Sequence, residues 1–287
     1  MLCRALVLGL VLAGCSSGPE SPAKSPQGPG GAAGPTFADG ASCAASPSSL
    51  RPMSGASSGS SIVLGSFEKG ALANKTVAFV ADPDGESIVS VDVDGKKQLG
   101  VLPLGAAAAQ LLVLPDGRLL ATLPAADRVA VVRVSDAGAL TMTCTRATSA
   151  EPFGLATNAR GDKIYVSAGW GARLEAFDGD LGDKGGVDLP RDPRQIVLSD
   201  DEKTAFVSHD VGGIVSVVDL GTMRSSTPVL VWADPRDQDD PLGPRSLAAA
   251  MTSAVGKGSQ PVAGQNGMRT GLQGYALVKS SDPPGRL

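Results

Sequence analysis

The sequence predicts an all-β fold: an incomplete β-propeller of about four four-stranded blades plus part of a fifth, behind a disordered N-terminal tether. Three observations lead there. A strand–loop–strand phrase recurs four times: VAFVADPDGESIVSVDV at Val77–Val93, LLATLPAADRVAVVRV at Leu119–Val134, IYVSAGWGARLEAFD at Ile164–Asp178 and KTAFVSHDVGGIVSVVDL at Lys203–Leu220. With Phe79, Leu120, Tyr165 and Phe206 as equivalent positions, the units lie 41, 45 and 41 residues apart, the spacing of propeller blades. The strand centres are nearly continuously apolar, as sheets packed on both faces require.

Composition agrees. The 287 residues are ample for one core, and 37 glycines with 21 prolines suit a loop-rich β chain. The formal net charge is −4, with no basic run, so a nucleic-acid partner is not expected.

Residues 1–14 read as a signal peptide. Arg4 gives the positive start and Ala5–Leu12 the short apolar stretch, well under the roughly 20 residues a membrane span needs. The segment ends Leu12-Ala13-Gly14-Cys15, which resembles the bacterial lipobox. That resemblance implies cleavage before Cys15, acylation of Cys15, and anchoring to a lipid bilayer in the cell envelope. Ser16 in the next position, by analogy with enteric bacteria, points to the outer membrane. Residues 15–60 are Ser-, Gly-, Ala- and Pro-rich and too poor in bulky apolar groups to offset chain entropy. They read as a lipidated flexible tether with a reach of about 35–40 Å.

The propeller region runs over 61–287. Ile62–Phe67 is a strand expected to complete the last blade. Unit one has strands Thr76–Ala81, Ile88–Val93 and Lys97–Leu102. Unit two has Leu111–Leu114, Leu119–Leu123, Val129–Val134 and Leu140–Thr145. Unit three has Phe153–Thr157, Lys163–Ala168, Arg173–Phe177 and Val187–Leu189. Unit four has Gln195–Leu198, Thr204–Ser208, Ile214–Val218 and Thr227–Trp232. Asp92, Asp178 and Asp219 close third strands and are expected to fold back on their own turns. The next phrase with this rhythm is GYALVKS around Tyr275, so 232–270 reads as an insertion with a short helix at Ser246–Val255.

The openings Ile164-Tyr165-Val166-Ser167 and Ala205-Phe206-Val207-Ser208, each followed by a Val/Ile-rich strand closing on Asp, resemble the YVTN-type propeller repeat of bacterial surface proteins. The match covers residues 76–231 and is weakest in unit two, where Thr122-Leu123-Pro124 and Arg133 replace the pattern. That family has mixed functions, so the resemblance implies a fold and leaves the activity open.

Candidate site residues come from the loops that such a fold gathers at one mouth. They are Asp82 and Asp84 in unit one and Asp127 and Arg128 in unit two. Units three and four add Trp170, Arg173, His209 and Asp210, and the interblade loops add Glu151, Arg191, Asp192 and Arg194. This mixed-charge rim suits a protein loop or a small polar ligand. His209, the sole histidine, fits either a general base or, more simply, a loop hydrogen bond. No HExxH, phosphate-loop, CxxC or CxxCH spacing occurs, and no catalytic residue and no zinc or haem site is assigned. The acidic run Asp234, Asp237, Asp239 and Asp240 has the chemistry of a Ca2+ site but is interrupted by Pro235 and Arg236, so a solvated loop is expected and no cofactor is assigned. Arg160-Gly161-Asp162 sits where a hairpin turn is expected. Cys43 and Cys144 either pair in an oxidising compartment or stand as two separate thiols.

The leading functional reading is an exported, membrane-anchored propeller that binds or scaffolds. The alternatives are a lactonase- or dehydrogenase-type propeller enzyme using divalent-metal carboxylates at the channel mouth, or a redox-associated fragment serving a c-type haem protein.

Overall fold

Blade one contains the strand that the sequence placed elsewhere. In the computed structural model, which describes residues 43–44, 48–53, 57–230 and 277, β1 (Leu50–Pro52), β2 (Ile62–Phe67), β3 (Thr76–Asp82), β4 (Ser87–Asp92) and β5 (Lys97–Pro103) form one antiparallel sheet in chain order. Ile62–Phe67 does not complete the last blade. It lies in the first blade between β1 and β3, with Val63 opposite Phe79 and Gly65 opposite Val77. The reason is connectivity: β2 leads into β3 through a short loop, and hairpin neighbours pair first.

Blade two is β6 (Leu111–Val113), β7 (Arg118–Leu123), β8 (Arg128–Val134) and β9 (Leu140–Ala147). Blade three is β10 (Pro152–Thr157), β11 (Lys163–Ala168), β12 (Arg173–Asp178) and β13 (Asp183–Asp188). Blade four is β14 (Pro193–Leu198), β15 (Thr204–His209) and β16 (Ile214–Asp219). Its outer position is shared by β17 (Arg224–Ser225) and β18 (Val229–Leu230), which both pair with β16. These are four antiparallel blades in a propeller arrangement. The expected fifth unit, the 232–270 insertion and the acidic run lie outside the described residues, as do Cys15 and the lipobox.

Strand registers confirm the repeat. Phe79, Leu120, Tyr165 and Phe206 sit opposite Ser90, Val131, Ala176 and Val217 in the next strand of their blades. Alternate residues then face opposite neighbours. We call the face turned to the next blade forward and the other backward. Phe79 faces forward into a core shared with Leu111, Leu119, Ala121 and Val132 of blade two. Leu120 and Val131 meet Leu155, Ile164 and Val166 of blade three. Tyr165 and Ala176 meet Ile196, Ala205, Val207 and Val218 of blade four. The molecule thus has one core per blade–blade interface. No comparable packing joins blade four to blade one among the described residues.

A repeated hydroxyl reinforces two of these interfaces. Thr122 Oγ1 accepts from Gln110 N of its own blade and donates to Phe153 O of the next, at 3.0 and 2.8 Å. Ser167 Oγ repeats this, accepting from Gly154 N at 2.8 Å and donating to Arg194 O at 2.5 Å. A buried hydroxyl placed so satisfies two backbone groups at once.

The tether boundary also moves. Part of the 43–60 stretch is folded onto the blades, so the tether reading applies at most to the residues before Cys43. Cys43 and Cys144 form a disulfide with Cα atoms 5.4 Å apart. The buried Arg118 donates to Cys43 O at 2.5 Å and to Gly179 O at 2.6 Å, tying this stretch to blades two and three. Leu50 is fully buried and pairs with Phe67. The Asp turns fold as expected: Asp92 accepts from Gly95 N, Asp178 from Gly182 N and Asp219 from Thr222 N, at 2.8, 2.7 and 2.7 Å. Arg160-Gly161-Asp162 is a turn, with Gly161 at φ 73° and Asn158 Nδ2 donating to Asp162 at 2.6 Å.

Candidate functional site

The inner strands leave one backbone edge each toward the propeller axis, and such an edge needs a partner. Residues 57–60 supply it. Ser60 N donates to Leu111 O and Leu111 N to Ser60 O, at 3.0 and 2.8 Å. Gly59 N donates to Leu155 O at 2.7 Å and Thr157 N to Ser57 O at 2.8 Å. Two glutamines complete the closure. Gln110 Nε2 donates to Gln195 Oε1 at 2.5 Å, Gln195 Nε2 to Gly59 O at 3.0 Å, and Leu155 N to Gln110 Oε1 at 3.0 Å. Glycine at position 59 leaves room for this closure, since a Cβ there would lie 2.6 Å from Gln110 Oε1 and displace that amide. At this level the axis is filled by the chain itself, so it is not an open channel for a ligand.

The mouth differs. The β7–β8 loop, the β9–β10 connection and the β11–β12 loop converge through backbone contacts. Asp127 Oδ1 accepts from Glu151 N at 2.9 Å, and Gly169 N donates to Glu151 O at 2.8 Å. Pro124, Ala125, Asp127, Ala150, Glu151 and Trp170 enclose an open groove of about 430 Å³. Trp170 is 81% exposed beside it. An indole in that position is a ready stacking platform, held on a short loop between two paired strands.

Behind the groove lies a buried charge group. Arg194 is 8% exposed, 3.0 Å from Glu151 Oε1 and 3.9 Å from Asp210 Oδ2. Its guanidinium stands over Phe153, 4.7 Å from the ring centre. Gly169 permits the approach, because a Cβ there would sit 2.5 Å from Glu151 Oε2. Glu151 Oε2, Arg194 Nε and Asp210 Oδ1 are buried with no hydrogen-bond partner among the described residues. Asp127, Glu151 and Asp192 all take left-handed backbone angles, φ 53°, 59° and 53°, which for these residues costs energy that the surrounding contacts must offset.

Not every expected rim residue joins this group. His209 is fully buried in the interface of blades three and four. Its Nδ1 is 2.8 Å from Arg191 O and its Nε2 2.8 Å from Ser216 Oγ. Burial holds its pKa below the usual histidine value, against the opposing pull of the Arg191 carbonyl and Asp192. Both ring nitrogens are committed, so His209 is not placed to act as a general base on a ligand at the mouth. It fastens the loop before blade four. Glu175 does the same before blade three, accepting from Ser149 N and Ser149 Oγ at 2.9 Å each.

Arg173 pairs with Asp188 on the neighbouring strand at 2.5 Å, and Arg128 donates to Thr145 Oγ1 at 3.1 Å. Both are engaged within their own blades. Asp82 accepts from Gly85 N at 3.1 Å within its own turn, and Asp84 and Arg191 are exposed. Among the described residues no group of three or more His, Cys, Asp or Glu side chains is placed to hold a metal ion. Also among them, no helix is long and apolar enough to cross a membrane.

Sequence reasoning missed Gln110, Gln195, Phe153 and Glu175. Glutamine just before one inner strand and within another was a readable signal, since unpaired amides are rare in buried positions. Glu175 carries no such mark.

No family model matches the chain, and none of the curated proteins matches it significantly. Among solved structures it is similar to hydrazine synthase from Kuenenia stuttgartiensis, with 21% identity and a TM-score of 0.49 over 54% of this chain and 46% of that one. It is similar to a catalytically inactive virginiamycin B lyase from Staphylococcus aureus, with 16% identity and a TM-score of 0.48 over 66% and 61%. A putative 6-phosphogluconolactonase from Bacteroides fragilis gives 20% identity and a TM-score of 0.49 over 66% and 72%. The chain thus spans about half to three fifths of the first two. Likeness at this level carries no argument about activity.

Proposed function

We propose that this chain is an exported lipoprotein, anchored to the cell envelope through acylated Cys15, whose YVTN-like propeller serves as a binding or scaffold module. The ligand, a small polar molecule or a protein loop, occupies the groove between blades two and three. One observation carries the reading: Trp170 stands 81% exposed at the rim of the groove framed by Asp127 and Glu151. An exposed indole beside carboxylates suits a ligand with a flat or aliphatic face and hydrogen-bond donors. The sealing of His209 and the filled axis favour this rim over chemistry on the axis.

Two experiments test it. Incorporation of labelled palmitate should depend on Cys15 and vanish in Cys15→Ser; label retained in that variant refutes the anchor. Titration of oligosaccharides and short peptides, followed by tryptophan fluorescence, should give a saturable change that Trp170→Phe removes. A change that survives in Trp170→Phe places binding elsewhere.

A further inference from the structure

The groove between blades two and three is built around one residue that the repeat does not demand. Gly169 N donates to Glu151 O and Gly171 N to Ala150 O, at 2.8 and 2.9 Å, so Trp170 is pinned on both sides against the β9–β10 connection. The flanking glycines allow this approach, since a Cβ on Gly171 would lie 2.7 Å from Ser149 Cβ. The same corner recurs between blades three and four, where Asp210 N donates to Asp192 O at 2.9 Å. There Val211 holds the place of Trp170. The corner therefore forms without an indole, and packing does not account for one that is 81% exposed.

The walls give the indole a charge to work with. Of the six residues that frame the groove, Asp127 and Glu151 are acidic and none is basic. Behind them, Glu151 and Asp210 share one guanidinium, that of Arg194, at 3.0 and 3.9 Å, so this group keeps one negative charge. Glu151 Oε2 and Asp210 Oδ1 are buried with no hydrogen-bond partner among the described residues, so no neighbour there disperses that charge. Asp127 adds a second, on an exposed side chain whose Oδ1 accepts from Glu151 N at 2.9 Å. The rest of the lining, Pro124, Ala125 and Ala150, is apolar. An indole face beside carboxylates attracts a cation through the ring quadrupole and through the charges together. The apolar wall suits methylene groups and leaves the hydroxyls of a sugar without partners.

We propose that the groove takes an alkylammonium group, the head of a lysine side chain on a partner protein's loop. Its stem lies along Pro124, Ala125 and Ala150, and its charge sits between Trp170 and Asp127. This rests on the groove reading given above and narrows it to one ligand chemistry.

The test titrates the full chain with the tripeptide acetyl-Gly-Lys-Gly-amide and with the same peptide acetylated on its Nζ, followed by tryptophan fluorescence. The free-amine peptide should saturate the signal, the acetylated one should bind about tenfold more weakly, and Trp170→Phe should remove the response. Asp127→Asn should weaken the free-amine peptide about three- to fivefold and leave the acetylated one unchanged. Asparagine keeps the Oδ1 that accepts from Glu151 N and tolerates the φ of 53° at this position, so the loop is preserved. Raising salt from about 0.05 to about 0.5 M should weaken the free-amine peptide alone, because screening acts on the charge. Equal affinity for the two peptides, both lost in Trp170→Phe, overturns the cation while leaving the groove as a binding site. Saturation by glucosamine and not by the lysine peptide overturns the lysine side chain. No response to either peptide also overturns the proposal; the groove reading itself falls only if the neutral peptides and oligosaccharides of the preceding test fail as well.

Discussion

The axis and the mouth of this propeller are built from similar polar residues, yet they end in opposite states. At the axis, Gln110, Gln195 and the Gly59 carbonyl share three hydrogen bonds and leave the amides satisfied. At the mouth, Glu151, Arg194 and Asp210 lie together with one buried atom unmatched on each. A satisfied buried network makes a region rigid and specific, whereas unmatched polar atoms cost stability unless water or a ligand completes them. The difference marks the axis as architecture and leaves the rim as the place of the proposed recognition.

The largest expected effect comes from breaking the mouth group. Arg194→Ala leaves Glu151 and Asp210 facing each other without their cation and should cost about 3–5 kcal/mol in urea unfolding. A loss under 1 kcal/mol would mean that Arg194 is not the anchor of this rim. Next is the axis. Gln195→Leu strands the Gln110 amide and the Gly59 carbonyl and should cost about 1–3 kcal/mol, with faster amide exchange at Leu111 and Leu155. Unchanged exchange would show that residues 57–60 are held by backbone pairing alone.

A smaller effect depends on pH. Burial depresses the His209 pKa in the folded state, so the unfolded chain takes up the proton first as pH falls. That contribution to stability is complete above about pH 6.5 and is lost as pH drops from there toward the folded value. The melting temperature should therefore fall between pH 7 and 5, and His209→Asn should flatten that slope. Backbone hydrogen bonds from the Gly95 and Thr222 amides hold Asp92 and Asp219 below the usual carboxylate value, and an ion pair with Lys184 does so for Asp178. Their contribution is complete above about pH 4 and is lost below it. The smallest stability effect belongs to Trp170→Ala, within about 0.5 kcal/mol because the ring is exposed. A large loss there would recast the indole as structural.

Much of the fold was legible because a repeat is a pattern in residue type. Phe79, Leu120, Tyr165 and Phe206 mark the blades by spacing alone, and the closing aspartates mark their turns. The site was legible only in part. Loop position identified Asp127, Glu151, Trp170, Arg194 and Asp210, but the same rule also selected His209, which faces into an interface, and Arg173, which is held by Asp188. Whether a loop side chain points to solvent or into the neighbouring blade depends on a single step of strand register, and composition does not record that step.

What the sequence determined by itself was the all-β class, the blade count among the described residues and most of the inner strands, since alternation and spacing are local and survive without a partner. The outer strands came out differently, β13 at Asp183–Asp188 and not Val187–Leu189, and β17 and β18 at Arg224–Ser225 and Val229–Leu230 and not Thr227–Trp232. Only the tertiary structure decided three things: that residues 57–60 fill the axis, that Cys43 joins Cys144, and that Ile62 begins blade one. The first two are contacts between segments far apart in the chain, and the third is a choice between two possible partners for one strand. Such contacts are selected by the burial and hydrogen bonding of the assembled blades, which no short stretch of residues carries.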